Sequence, residues 1–295
     1  MAKLYYDKDA DLGLLKGKTI GVIGYGYWGP NIVRNFSSVE GARVVAVSDL
    51  RDDSLKKAER NHQGVRTTKS ADELINATDV DAVAIVTPVF THFELAKKAL
   101  EAGKHVFVEK PFTYTVAQAE ELINLAERKR LRIMVDHTFL FTGAVRKMKQ
   151  LVDDGTLGKI YYYDSMRVNL GLFQHDVNVV WDLAPHDLSI IFFILGREPH
   201  TISAWGHSHV VPDIEDVAFA NLTFGEGVSA HLHVSWLDPN KIRRATIVGS
   251  RKMLVYDDIA HQEPIRIYDK GVSVLPYYDS FGEFHFSYRY GDIMA

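Results

Sequence analysis

The feature that most constrains this chain is the regular exchange of short apolar runs with amphipathic helical stretches over its first half. KTIGVIG (18–24) predicts a buried strand and YWGPNIVRNFSS the helix after it. ARVVAVSD (strand), DDSLKKAERN (helix) and a brief VRTT come next. SADELINA opens with Ser70 and has Glu73 three residues on, a helix-start signature. DAVAIVT, HVFVEK and RIMVDH predict further strands, separated by the helices THFELAKKALEAG and TVAQAEELINLAERKR. Apolar strands alternating with helices at this spacing imply an α/β domain with a parallel, doubly wound sheet, placed here at residues 1–137.

Beyond that point the pattern changes. A helix over 142–154 precedes IYYYDSMRVNL, then comes VVWDLAPHDLSIIFFIL, and from residue 200 short alternating segments follow, punctuated by Gly, Asp and Pro. Residues 138–295 therefore read as an α+β domain with a large, mainly antiparallel open sheet. At 295 residues, 46% hydrophobic and 24% charged, the chain can bury two ordinary cores. Its net charge of −4, without a basic block, argues against nucleic acid as a partner. No apolar run reaches bilayer length, and the opening MAKLYYDKDADLGLLKGK has no signal-peptide core, which fits a cytoplasmic protein. The absence of cysteine excludes disulfides, thiolate zinc sites and a Cys nucleophile.

Ligands of open parallel sheets bind at the carboxyl ends of the strands, so the loops there carry the chemistry. GYGYWG places Gly24, Gly26 and Gly29 in G-x-G-x-x-G spacing between strand and helix. Glycine there permits the tight turn and lets backbone N–H groups approach a pyrophosphate, which marks a Rossmann domain. Asp49 ends the next strand twenty residues later, where a carboxylate accepts from the ribose hydroxyls and favours NAD; Arg51 could accommodate a 2′-phosphate and leaves NADP open. The alternative is that Asp49 caps the next helix. In TPVFTH, Thr87 and Pro88 make a stiff turn and Thr91 or His92 begins a helix; spacing alone favours a turn plus a cap. In EKPF, Pro111 holds Lys110 in the extended region, so its side chain leaves the strand end in a fixed direction.

GVIGYGYWGPNIVRNF, VTPVFTHFELAKKALEAGKHVFVEKPF and the D-x-x-x-H of WDLAPHDL together resemble the glucose–fructose oxidoreductase / inositol dehydrogenase (Gfo/Idh/MocA) family. The resemblance implies hydride transfer between NAD(P) and a sugar, inositol or related polyol, and a homo-oligomer, dimer or tetramer, built through the C-terminal sheet. It places Tyr27, Trp28, Thr87, Pro88, His92 and Glu109 with the glycines, Asp49, Arg51 and Lys110 at the cofactor. Lys110 matches the family's Glu-Lys-Pro lysine, and Asp182 and His186 its Asp and catalytic His. RVNLGLFQHDVNVVWDLAPHDL is similar to members acting on nucleotide-linked sugars, notably UDP-N-acetylglucosamine 3-dehydrogenases of surface-polysaccharide pathways. Two departures stand out. The first 25 or so residues also resemble ketol-acid reductoisomerases, whose acidic, helical second domain has no counterpart downstream. The chain also stops at SYRYGDIMA, short of where relatives usually end.

Asp182 and His186 lie four apart, one turn of helix on one face. As structure alone, Asp182 could be an N-cap, with Pro185 in the first turn and His186 a satisfied, partly buried histidine. With the resemblance, His186 is the expected general base, Asp182 its orienting partner, and Lys110 the group that stabilises developing alkoxide charge. Relatives differ over whether Lys or His takes the proton. Substrate contacts are expected from Arg167, Asn169, Gln174, His175, Asp176 and Asn178, with Arg167 suited to a phosphate or carboxylate. His207 and His209, like His231 and His233, alternate onto one strand face without a patterned carboxylate, so no metal is expected. The rival readings are a free-sugar or inositol dehydrogenase, a keto-sugar reductase, and a non-catalytic NAD-binding sensor.

Overall fold

The computed structural model describes residues 15–274 and 286–294. Residues 1–14 of the reductoisomerase-like opening lie outside them. The chain separates into two compact units, one ending at Asp136 and the other beginning at His137.

In the first unit, β1 (Thr19–Ile23), α1 (Gly29–Ser38), β2 (Arg43–Ser48), α2 (Asp52–Asn61), β3 (Arg66–Thr68), α3 (Ala71–Asn76), β4 (Ala82–Ile85), α4 (His92–Glu101), β5 (His105–Val108), α5 (Val116–Lys129) and β6 (Ile133–Val135) follow in turn. The strands pair in parallel in the order β3-β2-β1-β4-β5-β6, the doubly wound sheet expected from the alternation. Both faces are covered, which is why β1 and β4 read as unbroken apolar runs. Ile20, Val22 and Ala84 pack on one side with Ile32 and Val33 of α1; Ile23, Val83 and Ile85 pack on the other with Ala96, Ala99 and Leu100 of α4. Caps set the helix ends. Ser70 accepts from the Glu73 N–H at 3.1 Å, and Thr115 and Gln118 form a reciprocal capping box on α5. The strand order reverses between β1 and β4, so the crevice beyond their carboxyl ends is the ligand position for this topology.

The second unit contains α6 (Gly143–Asp153), β7 (Ile160–Val168), α7 (Val179–Leu195), β8 (Thr201–His207), β9 (Val217–Thr223), β10 (Ser229–Ser235), β11 (Ile242–Gly249), β12 (Met253–Asp257), β13 (Ile265–Val274) and β14 (Phe286–Met294). They form an eight-stranded sheet, order β14-β13-β12-β11-β7-β10-β9-β8, antiparallel throughout except for the parallel pair β7–β10. One face buries Tyr163, Ala230, Ile247 and Leu254 against Val145, Met148 and Leu151 of α6 and Ile190, Ile191 and Ile194 of α7. The opposite face carries Trp205, Phe219, His231 and His233 as an aromatic stripe across β8, β9 and β10, with Trp205 55% exposed.

The start of α7 corrects one reading of Asp182. The helix begins a turn earlier than an Asp182 cap would place it, because Asn178 is the N-cap and its side chain accepts the Trp181 N–H at 3.1 Å. Pro185 therefore falls inside the helix rather than in its first turn, where it lacks the N–H that would reach back to Trp181. Among the described residues, no helix is long and apolar enough to cross a membrane.

Candidate active site

The glycine loop after β1 shows the steric logic of its three glycines. Gly24 has φ +97°, and a Cβ there would lie 2.4 Å from the Val86 carbonyl oxygen. A Cβ on Gly29 would lie 2.4 Å from the Gly24 carbonyl oxygen, so only glycine lets α1 start this close to the strand. At Gly26 the nearest atom to a Cβ would be Arg51 Nη2 at 3.6 Å, which leaves the middle of the loop open. This is the cradle that a pyrophosphate fits: closed where the backbone must turn and bare where a ligand must approach. Tyr27 is almost fully exposed and stacks on Trp28 beside it.

Asp49 sits at the end of β2, where one carboxylate oxygen accepts the Tyr25 N–H at 2.7 Å and the other the Arg51 N–H at 2.9 Å. It thus ties the glycine loop to the start of α2, while each oxygen keeps a second lone pair for another donor. The Arg51 side chain lies 3.6 Å from the same carboxylate.

The loops after β4 and β5 are joined by His92. Its ring is 1% exposed, with Nδ1 2.9 Å from the Pro111 carbonyl oxygen and Nε2 2.7 Å from that of Thr87. Burial pulls its pKa down. Expected among the cofactor contacts, His92 is instead an internal strut. Thr87 Oγ1 meets Thr91 Oγ1 at 2.6 Å, which closes the same turn, and Pro88 leads into it. Lys110 precedes Pro111 across a cis peptide bond.

Glu109, also expected at the cofactor, turns to a partner within the unit. Its carboxyl is hydrogen-bonded to that of Asp136 at the end of β6, and the Trp28 indole donates to Asp136. Burial, reinforced by the neighbouring Asp136 charge, pushes Glu109 up to about 8, and burial raises Asp136 as well. Glu109 therefore supports folding while it can keep its proton. That contribution is complete below its ordinary pKa of 4.5 and is lost as pH rises through about 8. Glu109→Gln, which keeps a donor for Asp136, is expected to flatten the fall in Tm across this window. Parallel Tm–pH curves for the two proteins would reject the assignment.

In the second unit, Asp182 and His186 are both half-buried on α7, one turn apart. Asp182 Oδ2 accepts the Trp236 indole N–H at 2.9 Å, and Trp236 is itself buried just beyond β10. The imidazole of His186 packs edge-on with Phe139, ring centroids 5.0 Å apart at 73°. The expected substrate residues divide. Arg167, read from sequence as an anion contact, is 4% exposed and forms an ion pair with Asp187, Nε to Oδ2 at 2.5 Å, so its charge is committed inside the fold. Asn178 is the helix cap and also donates to Glu215 at 2.7 Å. Gln174 donates to the Leu172 carbonyl at 3.1 Å, the Asn169 N–H pairs with Ser235, and His175 is exposed.

Trp236, Asp187 and Phe139 had no role assigned from the sequence, although Asp187 stands out as a charge entering an apolar helix. A signal existed for the first two: Arg167 shares the inward parity of Tyr163 and Ser165 on β7 and so requires a buried acid, and a Trp at a strand end seeks an acceptor for its N–H. Carboxylates do stand beside two of the histidines, Asp216 at 2.7 Å from His209 and Asp164 at 2.9 Å from His231. Among the described residues, no group of three or more such side chains is placed to hold a metal ion.

Comparison with known proteins agrees with both halves of this picture. Residues 18–137 match the oxidoreductase family with an NAD-binding Rossmann fold, and residues 145–255 match the GFO/IDH/MocA C-terminal domain. The UDP-N-acetylglucosamine 3-dehydrogenase of Acidithiobacillus ferrooxidans is 30% identical over 87% of this chain and 78% of its own. Its solved structure superposes with a TM-score of 0.75 at 27% identity, covering 94% of this chain and 83% of that one. The scyllo-inositol 2-dehydrogenase (NAD(+)) of Bacillus subtilis is 27% identical over 91% of this chain and 81% of its own. A glycine cradle open only at its centre, in a sheet of this strand order, fits an NAD-binding Rossmann domain, and the chain belongs to the Gfo/Idh/MocA family of NAD-dependent oxidoreductases acting on CH–OH groups.

Proposed function

We propose that this enzyme oxidises a secondary hydroxyl of a nucleotide-linked sugar, with UDP-N-acetylglucosamine, at C3, the first substrate to test. The observation that carries the reading is the pair on α7, a carboxylate fixed by the Trp236 indole one turn before an imidazole. The likeness to a UDP-N-acetylglucosamine 3-dehydrogenase over most of the chain supports the substrate class.

Bound NAD supplies the acceptor for hydride. His186 takes the hydroxyl proton and returns it in the reverse direction. Asp182, held by Trp236, orients the imidazole or a neighbouring hydroxyl. Lys110 hydrogen-bonds the reacting oxygen and stabilises its developing charge. Asp49 accepts from the ribose hydroxyls with the lone pairs its backbone contacts leave over.

NADH formation followed across a panel of UDP-sugars, free sugars and inositols tests the substrate class. Turnover with UDP-N-acetylglucosamine and none with scyllo-inositol is the expected result. The reverse would transfer the enzyme to free polyols, the reading favoured by the inositol dehydrogenase relative. Asp49→Ala is expected to weaken NAD on the order of tenfold, through loss of a charged hydrogen-bond acceptor, and NADP less. Calorimetric titrations giving equal losses would reject its ribose role.

The stripe of Trp205, Phe219 and His233 is the surface through which copies of the chain associate. It is aromatic, continuous across three strands and exposed at Trp205. Light scattering on Trp205→Glu should report a smaller assembly than the wild type; an unchanged mass would place the interface elsewhere.

A further inference from the structure

An imidazole on a helix turns easily about its ring torsion, whose energy wells are broad. A base that must point a nitrogen at one hydroxyl therefore needs neighbours that fix the ring. For His186, Phe139 is such a neighbour, and the structure shows what holds it. Phe139 lies in the turn Thr138–Phe141 and meets the imidazole edge-on. The Arg167 guanidinium carbon stands 4.7 Å from the centre of the Phe139 ring. That guanidinium is locked in turn. Its Nε and Nη2 reach Asp187 at 2.5 and 3.3 Å, and Ser165 Oγ donates to the same carboxylate at 2.9 Å. Ser165, Arg167 and Asp187 are 0%, 4% and 5% exposed, so water does not loosen the cluster.

Asp187 directly follows His186 in α7. One buried arginine on β7 thus grips the helix at Asp187 and backs the ring that faces His186. An apolar side chain of similar volume would fill this space without the cost of desolvating two charges, so packing alone does not account for the arrangement. We propose that Phe139 is a positioning residue for His186, held in place by the buried Arg167–Asp187 pair. The proposal rests on the reading of His186 as the base, and its test separates the two.

Carbon–proton NMR of the histidine side chains, with His186 assigned by its disappearance in His186→Ala, reads the ring directly. Phe139→Leu keeps apolar bulk but removes the aromatic ring, so the His186 resonance should move toward the free-histidine position. With UDP-N-acetylglucosamine as probe, kcat should fall by about tenfold, the rate equivalent of a lost edge-to-face contact at the upper end of its range, with KM and NAD affinity unchanged. Phe139→Tyr should restore both the resonance and kcat. A His186 resonance that stays in place in Phe139→Leu, or is not recovered in Phe139→Tyr, overturns the proposal. Turnover surviving in His186→Ala would remove the base reading alone, and the resonance would still decide whether Phe139 sets the ring.

Discussion

Replacing His186 with alanine is expected to lower kcat by roughly 10²–10⁴-fold, the range that a positioned general acid–base contributes, while NAD affinity stays within experimental error. The separation follows from where the groups sit. The glycine cradle and Asp49 belong to the unit ending at Asp136, whereas His186 belongs to the unit beginning at His137. Removing an imidazole from α7 leaves the hydrogen bonds that shape the cradle intact. Steady-state NADH formation, paired with calorimetric NAD titration, measures the two quantities separately. Near-normal turnover would take His186 out of the mechanism and leave Lys110 as the proton acceptor. A parallel loss of NAD affinity would show that the substitution had damaged more than the chemical step.

Replacing Arg167 with alanine should cost about 3–5 kcal/mol of stability, because it leaves the Asp187 carboxylate buried without its countercharge. The Ser165 hydroxyl would remain as a donor, too weak to offset a charge in the core. Exchanging the pair together, Arg167→Met with Asp187→Leu, removes both charges and keeps apolar volume. That double variant should recover most of the loss, as such replacements commonly do. Urea denaturation of the three proteins is the measurement. A loss below about 1 kcal/mol in the single variant, the scale of an exposed pair, would show that water reaches Asp187 and that the cluster is looser than its burial implies.

Much of the first unit was legible because its determinants are local. A strand covered on both faces must be apolar wherever it is buried, and β4 and β1 beyond Thr19 are; a helix that starts against a strand end needs glycine where a Cβ would strike backbone, and Gly24 and Gly29 are in place. The capping of α3 by Ser70 was readable for the same reason, since donor and acceptor are three residues apart. The spacing of Asp182 and His186 put them on one face of a helix before any fold was known.

What the sequence determined by itself, then, was the parallel sheet, the glycine cradle and the candidate pair on α7, all set by contacts within one element or between neighbours. The tertiary structure alone decided the partners. Asn178 took the cap expected of Asp182 as structure alone, His92 and Glu109 turned inward to Pro111, Thr87 and Asp136, and Arg167 paired with Asp187. The physical reason is common to all of them. A polar side chain satisfies its hydrogen bonds with whatever folding brings within 3 Å or so, and for Arg167 and Asp187, or Trp236 and Asp182, that neighbour is 20 or 54 residues away along the chain.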